Sequence, residues 1–435
     1  MSDPITVGIV GLIIVLFLFL TSIELGFAMI LMGFLGFGYL ISFDAAFNLL
    51  AKDMYDVLNS YSFTVIPLFV LMGQVAFNSG IAKRLFDAAH KFIGHIPGGL
   101  AMATVGGATI FKAICGSSPA TSATFASVAV PEMDRYGYDK RLSTGVVATV
   151  GTLGILLPPS VTLILYGIIT DQSIGRLFLA GIVPGLIIAA LFVAVIYAWC
   201  KMNPTIGPKS PKATWKARFK TIPEVIMVLV IFLLVIGGIL GGVFTPTEAG
   251  SVGTFLVLVM TFAMRDLNIK GYIKSVAESV RTATMVLILI AGSTVLGHFI
   301  AVTTIPMVAA DWIVSLNMPS WVIVVFIALI YLIGGSFIDD LAFMILATPI
   351  FYPAILKLGY DPMWFGILIG ITVMLGVILP PMAICVFVVK QITKTPFGVI
   401  YSGVYPFLIS IILGGVLVFL FPALSTWLPH WLMPG

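Results

Sequence analysis

The chain has 435 residues, 60% of them hydrophobic and only 9% charged, with a formal net charge of +4. Its mean hydropathy of +1.16 lies far from the balance of soluble domains, in which about a quarter of residues are charged. That composition excludes a soluble enzyme or a nucleic-acid-binding domain and marks an all-α integral membrane protein.

Apolar stretches of about 17 to 25 residues can cross a bilayer as helices, and the chain is built from them. The first, at 5–20, lacks a basic leader and a small-residue cleavage site, so it reads as a retained span. Spans follow at 26–42 and 61–79, and then the basic segment "AKRLFDAAHKFIGH" reads as a membrane-surface helix. Residues 97–133 form a re-entrant hairpin with the polar tip "CGSSPATSAT". A span at 143–170 is interrupted by Pro158-Pro159, since adjacent prolines remove helical hydrogen bonds. Another span at 177–200 leads into a polar connector, 201–221.

The second half repeats this order. Spans at 222–242, 248–264 and 282–302 precede a hairpin at 319–356 with "GGSFIDD" at its tip, a span at 361–389 broken by Pro380-Pro381, and a last span at 396–421. Glu248, in "TPTEAG", reads as a capping acid at a helix start, and His298 and Glu24 lie in or near spans. The three cysteines show no CxxC spacing and read as small packing residues.

Basic short loops stay cytoplasmic. The six Lys and Arg residues of 201–220 place that connector inside, and counting outward gives ten crossings with both chain ends on the periplasmic side. Gly137-Tyr138-Asp139 recurs as Gly359-Tyr360-Asp361, Pro158-Pro159 as Pro380-Pro381 and Pro184 as Pro406, each 222 residues on. Five crossings per half turn the second copy upside down, so 1–221 and 222–435 are two inverted repeats. Paired broken helices in inverted repeats point to an alternating-access transporter with its site near mid-membrane.

Each break exposes carbonyls at one helix end and amides at the next start, with partial charges of about half a unit. Carbonyls can hold a sodium ion and amides can face a carboxylate. Gly154 and Gly376 are expected to let the backbone leave the helix just before the prolines. Ser117, Ser118, Thr121, Ser122 and Ser160 add hydroxyls, and Ser336, Asp339 and Asp340 supply the second tip. Oxygen ligands without histidine or thiolate favour alkali or alkaline-earth cations, so one sodium site per repeat is expected, with no other cofactor. Hydroxyls and carboxylates at such places can equally cap the hairpin helices. Lys112, one turn before the first tip, can pair with a substrate carboxylate or snorkel.

At "VIPLFVLMG", "CGSSPATSATF", "GYDKRLSTGVVATVGTLGILLPPS", "GRLFLAGIVPG", "FTPTEAGSVG" and "GSFIDDLAFMILATPIFYP" the chain resembles the large membrane subunit of TRAP transporters, the tripartite ATP-independent periplasmic family. The resemblance implies sodium-driven uptake of an organic acid across a bacterial inner membrane by an elevator motion. It implies two partners, a small four-helix membrane subunit and a periplasmic substrate-binding protein. It also implies sodium sites at Gly116, Ser117, Gly154, Pro158, Gly335, Ser336, Asp339, Gly376 and Pro380. Ser118, Thr121, Ser122, Ser160 and Lys112 remain for substrate. A stand-alone divalent-anion symporter and a proton-coupled carrier are the competing readings. No catalytic set such as HExxH or paired acids on separate spans supports an enzyme.

Overall fold

The computed structural model describes residues 3–21, 23–316 and 318–433, so the chain ends whose side was expected lie outside the described residues. All regular structure among them is helical. The first half runs α1 (Pro4–Phe19), α2 (Leu25–Leu40), α3 (Phe43–Asn59), α4 (Val65–Asn78), α5 (Ile81–Ile93), α6 (Gly99–Lys112), α7 (Ser118–Arg135), α8 (Lys140–Val150), α9 (Val161–Ile169) and α10 (Ile174–Met202). The second half runs α11 (Trp215–Phe219), α12 (Ile222–Leu240), α13 (Pro246–Ala263), α14 (Ile269–Val302), α15 (Ile305–Ser315), α16 (Ser320–Phe337), α17 (Asp340–Lys357), α18 (Pro362–Gly376), α19 (Ile384–Thr393), α20 (Phe397–Leu420) and α21 (Ala423–Leu432).

Two packed groups of helices result. In one, α14 lies against α2 and α4, and α4 lies against α13. Small residues set this closeness: a Cβ on Gly33 of α2 would stand 2.6 Å from the backbone nitrogen of Leu296 in α14. Without a hydrophobic drive between helices in lipid, such backbone approach is what gives van der Waals contact. The other group holds the hairpins α6–α7 and α16–α17, the broken helices, α10 and α20. Its two halves interlock, because α7 packs on α19 and α17 packs on α9.

Helix starts recur at the expected interval. α7 begins at Ser118 and α17 at Asp340, while α8 begins at Lys140 and α18 at Pro362. The caps match too, Ser117 with Asp339 and Asp139 with Asp361, each side chain accepting a backbone N–H from the first turn. Both Pro-Pro bonds are cis. Between α8 and α9 the chain passes through a 3₁₀ turn, Gly151–Ile155, before the prolines.

Several details differ from expectation. Eight helices among the described residues are long and apolar enough to cross a membrane, against ten crossings read from the sequence. α16 and α17 count among the eight because each has 18 residues, whereas α1 and α2 have 16, a rise of about 24 Å, and each broken span is two half-helices. α14 is one 34-residue helix, so the charges at 270–281 lie along its first turns and form no loop. α3 was not foreseen. It is amphipathic, and its buried Asp53 lies 3.4 Å from His298 of α14. Glu248 does close a capping box with Thr245, its Oε2 accepting the Thr245 N–H at 2.8 Å.

Helix α5 is held to the connector: Ser210 N donates to Gly94 O at 2.9 Å, and His90 Nε2 lies 2.9 Å from Ser210 Oγ. Burial holds His90 below the usual imidazole range; Asp87 and Glu132 pull the other way, and Lys91 adds to the lowering. The folded chain therefore keeps the ring neutral where the unfolded chain takes up a proton. Stability from this source is complete above about pH 6.5 and declines below it. Thermal midpoints are expected to fall between about pH 7.5 and pH 5.5, and to fall less in His90→Gln. Equal falls in both proteins would place the pH dependence elsewhere.

Candidate functional site

Three polar side chains at the tips and breaks cap helices. Ser117 Oγ accepts from Ala120 N at 3.3 Å at the start of α7, Ser160 Oγ from Leu163 N at 3.3 Å at the start of α9, and Asp339 Oδ1 from Ala342 N at 3.1 Å at the start of α17. The capping role expected as the plainer alternative is thus present. It uses the one hydroxyl of each serine but only one of the two carboxylate oxygens of Asp339, and the starts of the helices so capped border one cavity.

A cavity of about 190 Å³ opens between the two packed groups. Its wall takes residues from the first turns of four helices, Ala120 of α7, Thr162 of α9, Leu341 of α17 and Cys385 of α19. The starts of four helices, and so four positive dipole ends, therefore border one space, which suits an anion, although Ala120 N, Leu163 N and Ala342 N are taken by side-chain caps and Cys385 N donates to Val377 O at 3.2 Å. Ser117, Ser118, Asp339 and Asp340 line it from the hairpin tips. The opposite wall comes from α4 and α14, with Phe69 and Met285 as apolar floor and Gln74 and Thr282 as hydrogen-bonding groups.

Gly116 also lines the cavity. The other expected residues sit behind the wall, where tips and breaks touch. Gly116 abuts the Pro159 carbonyl, which leaves no room for a Cβ. On the other side Met382 N donates to Ser336 O at 3.0 Å, and a Cβ on Gly376 would meet the Gly335 carbonyl at 3.2 Å. The backbone leaves the α-helix where expected, with Gly154 in the 3₁₀ turn and Gly376 the last residue of α18, and it does so without a positive φ at either glycine. Their small size serves close approach, Gly376 to the second tip and Gly154 to the side chain of Lys112.

Lys112 is fully buried, and Nζ donates to Ser117 O at 2.9 Å. It does not reach the cavity wall, nor do Thr121, Ser122 and Ser160. Thr121 Oγ1 also donates to Ser117 O, at 2.9 Å, and Ser160 Oγ donates to Ile155 O at 2.6 Å. Pro158 and Pro380 act through the breaks that they impose.

A sodium ion needs several oxygen ligands and net negative surroundings. The second tip fits this need better than the first, with two carboxylates, Asp339 and Asp340, at the cavity wall. No group of three or more His, Cys, Asp or Glu side chains suited to a metal occurs among the described residues. Gln74 and Thr282 escaped the sequence reading because neither lies in a motif: Gln74 stands in an apolar stretch of α4, and Thr282 follows the charged first turns of α14.

Hairpin pairs and broken helices around an open cavity with polar hairpin tips, in an all-helical apolar chain, define a membrane transport protein. Solved transporters share the fold: the Alcanivorax borkumensis YdaH transporter, with TM-score 0.54, 16% identity and coverage of 86% of this chain and 87% of that one, and Neisseria gonorrhoeae MtrF, with TM-score 0.56, 14% identity and coverage of 86% and 84%.

Residues 12–424 match the family described as tripartite ATP-independent periplasmic transporter, DctM component, and the chain belongs to that family. The C4-dicarboxylate TRAP transporter large permease protein DctM of Pseudomonas aeruginosa is 34% identical over 88% of this chain and 90% of its own length. The sialic acid TRAP transporter large permease protein SiaM of Vibrio cholerae is 31% identical over 95% and 96%. The ectoine TRAP transporter large permease protein TeaC of Halomonas elongata is 34% identical over 84% and 86%. The chain is therefore a multi-pass TRAP large permease, a transporter and not an enzyme.

Proposed function

We propose that this permease takes up an organic acid across the inner membrane, driven by sodium. The hairpins and broken helices that its two inverted repeats contribute would move, as an elevator, past the group formed by α2, α4, α13 and α14. The observation that carries this reading is the acidic tip of α16–α17 at a cavity where four helix N-termini meet. Carboxylates beside converging amides repel a bound anion unless a cation lies between them, and that couples anion to cation. Relatives named for C4-dicarboxylate, sialic acid and ectoine support trying an organic acid first. A periplasmic binding protein would deliver it and a small four-helix membrane subunit would complete the complex, so uptake in vesicles is expected only with all three present.

Sodium coupling can be tested without substrate. Thermal stability of the purified permease is expected to rise in sodium chloride, relative to potassium and choline chloride at equal ionic strength. The rise should be about 1.4 kcal/mol per tenfold concentration above Kd. A folded protein indifferent to sodium would overturn sodium coupling and favour a proton.

A further inference from the structure

An ammonium buried in a membrane domain without an acid partner is costly, and Lys112 is such a group. It is fully buried, and it takes part in none of the ion pairs found among the described residues. Its place is specific. Nζ reaches from the hairpin arm α6 across the tip to the break at Gly154, where the missing Cβ leaves its only room.

The carbonyl that holds it is Ser117 O. That oxygen already accepts the Thr121 N–H at 3.2 Å and the Thr121 hydroxyl at 2.9 Å, and Lys112 Nζ at 2.9 Å is a third donor. A carbonyl oxygen has two lone pairs, so none is left for a metal ion. With that carbonyl occupied, and Ser117 and Ser118 in place of carboxylates, the first tip fits sodium less well than the second.

The repeat shows the exchange in register. Ser117 and Ser118 stand where the second half has Asp339 and Asp340, and Lys112 stands where it has Gly334. The second tip supplies two carboxylates and no cation; the first supplies a tethered cation and no acid. We propose that the Lys112 ammonium takes the place of the coupling ion in the first half, so that this permease binds sodium only at the α16–α17 tip. This rests on the sodium reading above and narrows its stoichiometry.

Equilibrium binding of radioactive sodium to the purified permease tests it, with sodium-dependent thermal stability alongside. The wild type is expected to bind one sodium ion per chain with a Hill coefficient near one. Lys112→Ala, which removes the ammonium and frees the Ser117 carbonyl, is expected to bind two. Lys112→Met, which fills the space without a charge, is expected to bind one. Two ions on the wild type would overturn the inference and leave sodium coupling intact, and that measurement needs no variant to fold. One ion on both the wild type and a folded Lys112→Ala would also overturn it. No sodium on any of the proteins would remove the sodium reading itself and this inference with it.

Discussion

Asp339→Asn is expected to weaken sodium binding about 30-fold or more, corresponding to the roughly 2 kcal/mol or more lost when one partner of a buried charge pair is removed. Asparagine caps a helix about as well as aspartate, so the bond from Ala342 N at 3.1 Å has a replacement acceptor and α17 keeps its start. The fold should therefore survive. What disappears is one of two adjacent carboxylates at the cavity wall. Without a cation these two repel each other, so in choline chloride the variant should be at least as stable as the wild type. In sodium chloride the order should reverse. The stability curves of the two proteins are thus expected to cross as sodium rises, which a simple loss of folding would not produce. A sodium midpoint unchanged by the substitution would remove Asp339 from the ion site.

How far the sequence reaches depends on whether a feature is local. Spans, hairpins and breaks were legible because hydropathy and paired prolines are properties of short stretches, and the interval from Ser117 to Asp339 could be counted. α3 was not legible, since Phe43, Phe47, Asp53 and Tyr55 mix apolar and charged groups in a stretch too polar for a span. α14 was shortened for a related reason. Lys270, Lys274, Glu278 and Arg281 look like a loop by charge but lie on a continuous helix. The site itself was half legible. Its tips carry dense polar motifs, but Gln74 and Thr282 come from helices that only the tertiary fold sets opposite them. Lys112 was visible and its setting was not, because nothing in "TIFKAICG" tells that the side chain turns behind the tip toward Gly154.

That setting gives a large and specific expected effect. Gly154→Ala should lower stability by about 2 kcal/mol, within the range for overpacking a close-packed interior. The new methyl would overlap Lys112 Nζ and stand 2.8 Å from Cε and 3.0 Å from Cδ. A long side chain usually swings away at little cost, but this one is fully buried and bonded to Ser117 O. Moving it breaks that bond or strips the charge of its acceptor. Gly335→Ala is the control at the other tip, where the nearest atom to an added Cβ, Asp340 Cα, is 4.0 Å away, so little change is expected. In a Lys112→Ala background the penalty of Gly154→Ala should drop below about 1 kcal/mol, because contacting residues couple by about 0.5 to 3 kcal/mol. The four proteins of this cycle are best compared in choline chloride, so that no sodium enters the space the lysine leaves. Additive penalties would mean that the ammonium does not occupy the gap at Gly154, and the tethered cation would lose its place in the first half. Strong coupling would place the charge at the meeting point of tip and break, where the second half relies on its two carboxylates.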